Sequence, residues 1–134
     1  MKPEIIYFSG LFDGEGSVIV RFRKDSRYEN GYQITPWTNL TQKNREVIDK
    51  MVSVFKMGKI YYHKRDDLWH VNIYGINNLI SFTEQILPYL IVKRKRCEIF
   101  LKVLELMKEK KHLTKNGLNN IMTLWDPETE ANGG

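Results

Sequence analysis

Alternate positions in four short segments carry side chains able to read a polar, anionic partner. Arg21 and Arg23 alternate with Val20 and Phe22; Gln33, Thr35, Trp37 and Asn39 alternate with Ile34, Pro36, Thr38 and Leu40. Tyr61, His63 and Arg65, then His70, Asn72 and Tyr74, continue the pattern. Arg offers two parallel donors to guanine O6 and N7, and Gln or Asn matches adenine N6 and N7. Any sheet face in water has a polar half. This set, however, contains no Asp or Glu and several aromatic rings, which points to nucleic acid. A two-stranded ribbon of this kind fits a major groove.

The elements that must position these residues follow from periodicity. Pro3 suits the first turn of a helix. Residues 3–13 then carry Ile5, Ile6, Phe8, Leu11 and Phe12, apolar on nearly every side, as in a helix buried between two partners. Asp13 to Ser17 is a cluster of turn residues. Val18, Val20 and Phe22 predict the inner face of a strand, and Asn30-Gly31 marks the connector to a second one. Pro36 argues for an edge or an irregularity there. Val47, Ile48, Met51, Val52 and Phe55 make a helical stripe over 44–57, with Gly58 as its stop.

A hairpin with Asp66-Asp67 at its turn follows. It sets Tyr61 opposite Asn72 and His63 opposite His70 on one face, with Ile60 opposite Ile73 and Tyr62 opposite Val71 on the other. Helices are predicted over 77–89, capped by Asn77 or Asn78, over 93–111, and over 118–125. The order predicts an α+β domain over residues 1–125: one antiparallel sheet of two hairpins, helices on one face, and additional C-terminal helices. Residues 126–134 read as a disordered tail.

The chain has 134 residues, 15.9 kDa, with 42% apolar and 28% charged side chains, as expected of one globular domain. Net charge is +5. All 21 Lys and Arg precede position 116, while Asp126, Glu128 and Glu130 lie in the last nine residues, so the body without them stands at +8. Such a body favours polyanions. One cysteine, Cys97, excludes an internal disulfide, and its apolar helix face makes it a small core residue. Three histidines without a Cys/His cluster exclude a structural zinc of the usual kind. His63 and His70 are expected to contact bases, and His112 to be ordinary surface. With no bilayer-length apolar run and no cleavage-site pattern in MKPEIIYFSG, the expectation is a soluble intracellular protein without a membrane partner, in a microbial cytoplasm or an organelle matrix or stroma. The run Lys93-Arg94-Lys95-Arg96 opens a helix against its dipole, which calls for a nearby anion, and a phosphate is the expected one.

Phe8-Ser9-Gly10-Leu11-Phe12-Asp13-Gly14-Glu15-Gly16 resembles the LAGLIDADG signature of homing endonucleases. Its departures are mild: Phe for Leu, Ser for Ala, Phe for Ile, Gly for Ala and Glu for Asp. Small residues at Ser9, Gly10 and Gly14 permit two copies of the helix to approach backbone to backbone. The acids beyond them would then stand as a like-charged pair, which divalent cations with hard oxygen ligands neutralise. The resemblance runs over roughly residues 5–125 and implies the family's αββαββα core with a saddle-shaped four-stranded antiparallel sheet.

The resemblance also implies roles. Glu15 corresponds to the metal-binding acid, with Gly14 in the same metal site, and Mg2+ or another divalent ion is the implied cofactor. Gln42, in Thr41-Gln42-Lys43, matches the position that organises solvent. Lys93, after Pro88-Tyr89-Leu90, matches the basic position, and Lys95 joins the DNA-contacting set. Arg45 is a further basic candidate. Asp13 corresponds to the first acid of the motif, mainly structural. Phe8, Ser9, Gly10, Phe12 and Asp13 are expected at a dimer interface. A single motif implies a homodimer on a long pseudo-palindromic double-stranded DNA site, cutting both strands by metal-assisted phosphodiester hydrolysis in the service of intron homing. The same scaffold without cleavage would be a DNA-binding regulator or an intron maturase, whose partner would be intron RNA.

Overall fold

The computed structural model describes residues 2–125; the stretch expected as a tail, 126–134, lies outside the described residues. Helix α1 (Pro3–Glu15) precedes strands β1 (Ser17–Lys24) and β2 (Tyr32–Gln42), helix α2 (Arg45–Phe55) and strands β3 (Lys59–His63) and β4 (Leu68–Ile73). Helix α3 (Ile76–Ile86), a 3-10 turn (Leu87–Tyr89), α4 (Arg94–Lys108), a second 3-10 turn (Lys111–Leu113) and α5 (Lys115–Leu124) complete the chain. The four strands form one antiparallel sheet in the order β1-β2-β4-β3.

Alternation sets the two faces. Val18, Val20, Leu40, Val71 and Ile73 are buried beneath the helices. Their neighbours along the strands face the other side of the sheet. Pro36 is buried in β2, a central strand, rather than on an edge. The β2–β4 pairing begins only at Thr38↔Ile73, so Pro36 lies where β2 has β1 alone beside it and its missing N–H breaks no second ladder.

α1 packs its inward side against α2, α3 and β2, while Ile6 and Tyr7 on its other side are exposed. Phe8 meets Phe55, Phe12 meets Phe82 and Phe55 meets Phe82, all edge to face, with centroids 6.3, 5.3 and 4.8 Å apart. Ser9, fully buried, donates its hydroxyl to the Ile5 carbonyl at 2.6 Å. Gly16 ends the helix against the Phe12 ring; a Cβ there would stand 2.2 Å from its Cδ1.

The limits of α3, α4 and α5 differ from expectation. α3 starts at Ile76 behind Gly75, whose φ of +89° only glycine adopts readily, so neither Asn77 nor Asn78 is the cap. It ends at Ile86 because Pro88 turns the chain into a 3-10 turn. α4 stops at Lys108, and α5 starts early at Lys115, where Thr114 Oγ1 accepts from Gly117 N at 3.0 Å. Trp125 closes this end against Phe100 and lies under the Arg96 guanidinium, 3.4 Å from the ring centre.

The hairpin register is Tyr61↔His70, Ile60↔Val71, Tyr62↔Trp69, His63↔Leu68 and Lys59↔Asn72. The turn is therefore centred on Arg65-Asp66, one residue earlier than expected, and every pair slips by two. Side chains keep their faces because the strand period is two. Both turn acids reach back to β3: Asp67, in the left-handed region at φ +54°, accepts from the Tyr62 hydroxyl at 2.6 Å, and Asp66 bonds His63.

Candidate active site and nucleic-acid interface

The two acids at the end of α1 have opposite environments. Asp13 is buried, and its carboxylate accepts from the backbone N–H groups of Ile91 (3.0 Å), Val92 (3.1 Å) and Lys93 (2.8 Å). Burial pushes its pKa up, but those donors and the Lys93 charge outweigh it and leave the carboxyl below its ordinary value. Lys93 is the N-cap of α4 and provides no side-chain cap of its own. Asp13 supplies the missing anion for that N-terminus. Lys93 Nζ in turn donates to the Asp13 carbonyl at 2.8 Å, which ties its ammonium to the last turn of α1.

The anion at the start of α4 is Asp13. Arg96 is buried over Trp125, and Arg94 pairs with Glu98 at 3.6 Å. Lys95 stays exposed.

Glu15 is exposed, and Gln42, half-buried at the end of β2, donates its amide Nε2 to Glu15 Oε2. Gln42 shares the helix-side face with Leu40 and pairs with Trp69, whose ring lies beneath the Arg45 guanidinium at 4.5 Å. Trp69 escaped the sequence reading; its only signal was its parity with Val71. Glu15 carries no ion pair among the described residues, so an oxygen ligand for a hard cation stands open to solvent. Gly14 beside it is exposed, with nothing within 4 Å of a built Cβ. The donor set thus fits a divalent ion such as Mg2+, with a single carboxylate per chain. Glu15, Gln42 and Lys93 all come to the foot of α1.

The open sheet face holds Arg21, Arg23, Gln33, Thr35, Trp37, Asn39, Tyr61, His63 and His70, as alternation requires. Arg21 lies over the Trp37 ring at 4.9 Å. Arg65 is exposed in the turn and Tyr74 beyond the end of β4. Asn72 is buried and fully engaged: it accepts from Asn39 Nδ2 at 2.7 Å and donates to the Tyr74 hydroxyl at 2.8 Å and the Tyr61 hydroxyl at 3.4 Å. It therefore braces its neighbours more than it offers itself to a partner. Asp66 adds an acid that the strand pattern did not place on this face. His112 is half-buried, its carbonyl held by Asn30 Nδ2, and burial pushes its pKa down. Cys97 is fully buried and its thiol pushed up to about 12, so it is no nucleophile.

The expected pairing face needs correction. Phe8, Ser9, Phe12 and Asp13 point into the chain's own core, because Phe55, Phe82 and the α4 N-terminus occupy that side. Gly10 stays on the open side. With it run Pro3, Tyr7 and Gly14 at alternating spacings of four and three, Ile6 beside them. Nothing lies within 4 Å of a Cβ built at Gly10.

No helix among the described residues is long and apolar enough to cross a membrane. The DNA endonuclease I-CreI of Chlamydomonas reinhardtii is 29% identical over 106 residues, covering 78% of this chain and 64% of that protein. The archaeal intron-encoded homing endonuclease I-Vdi141I, solved in complex with DNA, superposes with a TM-score of 0.83 at 25% identity, over 90% of this chain and 79% of that one. The LAGLIDADG homing endonuclease I-SmaMI, solved bound to cleaved DNA, gives 0.83 at 29% identity over 92% of this chain but 43% of its own. The LAGLIDADG endonuclease profile matches residues 8–96, from the core of α1 to the start of α4. With motif, fold and profile in agreement, the chain belongs to the LAGLIDADG endonuclease family.

Proposed function

We propose that this chain is a homodimeric, divalent-metal-dependent DNA endonuclease that cuts both strands of a long pseudo-palindromic site. The observation that carries the reading is the convergence of Glu15, Gln42 and Lys93 at the foot of a helix whose open stripe bears Gly10 and Gly14. The relatives support it, one solved with DNA and another with cleaved DNA. The intron-encoded relative supports a role in intron homing.

Glu15 and Gly14 would hold the ion. When bound, it supplies charge stabilisation and a more acidic water for phosphodiester hydrolysis. Gln42 fixes one Glu15 oxygen through its amide N–H and keeps its own carbonyl free to accept from a water. Lys93 spends one of its three N–H donors on the Asp13 carbonyl, leaving the others for a phosphate oxygen. Stacking α1 on its mate would set two Glu15 carboxylates side by side, one for each strand. Arg21, Arg23, Gln33, Trp37 and Arg65 would then approach the major groove on either flank.

The test is cleavage of a randomised duplex library with Mg2+. Cuts on both strands at one enriched site are expected, with none from Glu15→Gln, which still binds the selected duplex. Binding by the unaltered chain without Mg2+-dependent cuts would overturn the enzymatic reading.

A further inference from the structure

The tip of the β3–β4 hairpin holds a group of side chains that the proposed nuclease site does not use. His63 at the end of β3, Asp66 in the turn and His70 in β4 place one ligand atom each within 4.8 Å of one another. The register makes this possible. Tyr61, not His63, lies opposite His70, so the two imidazoles are diagonal neighbours, centroids 5.8 Å apart at 69°. Asp66 already bonds His63 Nδ1 at 2.5 Å. His70 is held from behind by stacking on Tyr61 at 4.7 Å.

We propose that His63, Asp66 and His70 form a second cation site, for a transition ion of the zinc class, on the DNA-facing hairpin. Two imidazoles and one carboxylate suit Zn2+, Co2+ or Ni2+ and not Mg2+, which prefers oxygen and water. Three protein ligands leave a coordination position open.

The surroundings of His70 agree. Its Nδ1 meets the Asn39 amide at 3.2 Å, whereas its buried Nε2 has no hydrogen-bond partner among the described residues. Nε2 is therefore the nitrogen available to an ion. Ligation there puts the proton on Nδ1, and the Asn39 amide must turn to accept it. The rest of the network reverses with it: Asn72 then donates to Asn39 and accepts from the Tyr61 and Tyr74 hydroxyls. Without an ion, His70 Nε2 stays buried and unpartnered among the described residues; with an ion on Nε2, the reversed network partners both ring nitrogens. The ion has an electrostatic role as well. Asp66 sets a negative charge on a surface that otherwise presents Arg21, Arg23 and Arg65. A bound dication converts that tip to net positive and staples both strands to their turn.

The experiment uses the full chain without an affinity tag. Zn2+ is titrated by calorimetry and by competition with a chromophoric chelator, and Co2+ by its visible absorption. One ion per chain is expected, with affinity falling about 10-fold or more in His63→Ala and in Asp66→Asn. Both positions are exposed, and an unchanged melting curve in the absence of metal confirms that each variant folds. Glu15→Gln should bind Zn2+ as the unaltered chain does, which separates this site from the nuclease site, and millimolar Mg2+ should not displace the ion. No saturable binding at micromolar Zn2+ would overturn the proposal. So would equal binding by all variants, or loss only in Glu15→Gln.

Discussion

Asp13 makes three backbone contacts to the start of α4 while its own carbonyl holds Lys93. Asp13→Asn keeps the shape but replaces a charged acceptor by an amide, and should cost about 2 kcal/mol of unfolding free energy in denaturant melts. Because the folded pKa is depressed, Asp13 contributes its full stabilisation above the unfolded value near 3.8 and loses it as pH falls through the lower folded value. Stability of the unaltered chain should therefore fall more steeply below about pH 4 than that of Asp13→Asn. Equal slopes in that window would show that the carboxylate is not held in its ionised form. Cys97 offers a simpler check. A fully buried thiol with its pKa near 12 should react with aromatic disulfide reagents only after unfolding, and rapid reaction of the native chain would contradict the burial.

Gly10 inside α1 and Gly16 at its C-terminal cap separate internal packing from pairing. Gly16→Ala forces a Cβ to within 2.2 Å of the Phe12 ring, which Phe82 pins from the other side, and should destabilise the single chain by about 1–3 kcal/mol. Gly10→Ala meets open space and replaces a poor helix former, so the isolated chain should gain about 0.5–1 kcal/mol. The same methyl would hold two α1 helices apart. Sedimentation should thus show weaker self-association for a variant whose monomer is more stable, and unchanged association would place the contact elsewhere. Much of this arrangement was legible in the sequence. Period-two alternation identified the inner and outer faces of all four strands, and Asn44, accepting from Glu46 N at 2.8 Å, opens α2 near the expected place. The hairpin register was not legible, because it depends on one residue of turn position, decided by where Asp66 and Asp67 tie back to His63 and Tyr62. Nor was the inward stripe of α1. Nearly every position of that helix is apolar or small, so only the rings of Phe55 and Phe82 decide that Phe8 and Phe12 turn inward. The convergence of Glu15, Gln42 and Lys93 came from the motif's resemblance rather than from periodicity.

Arg21 and Arg23 stand on the open sheet face, Arg65 in its hairpin turn, and Lys95 is exposed at the start of α4. A dimer would present Arg21, Arg23, Arg65 and Lys95 twice. If most of these meet phosphates, duplex binding by Glu15→Gln should weaken by about 10^3-fold or more between roughly 50 and 200 mM salt. A flat salt response, measured by filter binding or anisotropy, would rule out the sheet face as the contact surface. The motif's two acids sit two residues apart on the same turn, yet one is enclosed and the other faces solvent. The proposed cutting is therefore detachable from architecture. A lineage that gave up hydrolysis could replace the outer acid by a single base change and keep a folded, duplex-gripping protein, whereas erosion of the inner one would dissolve the joint on which both helices hang.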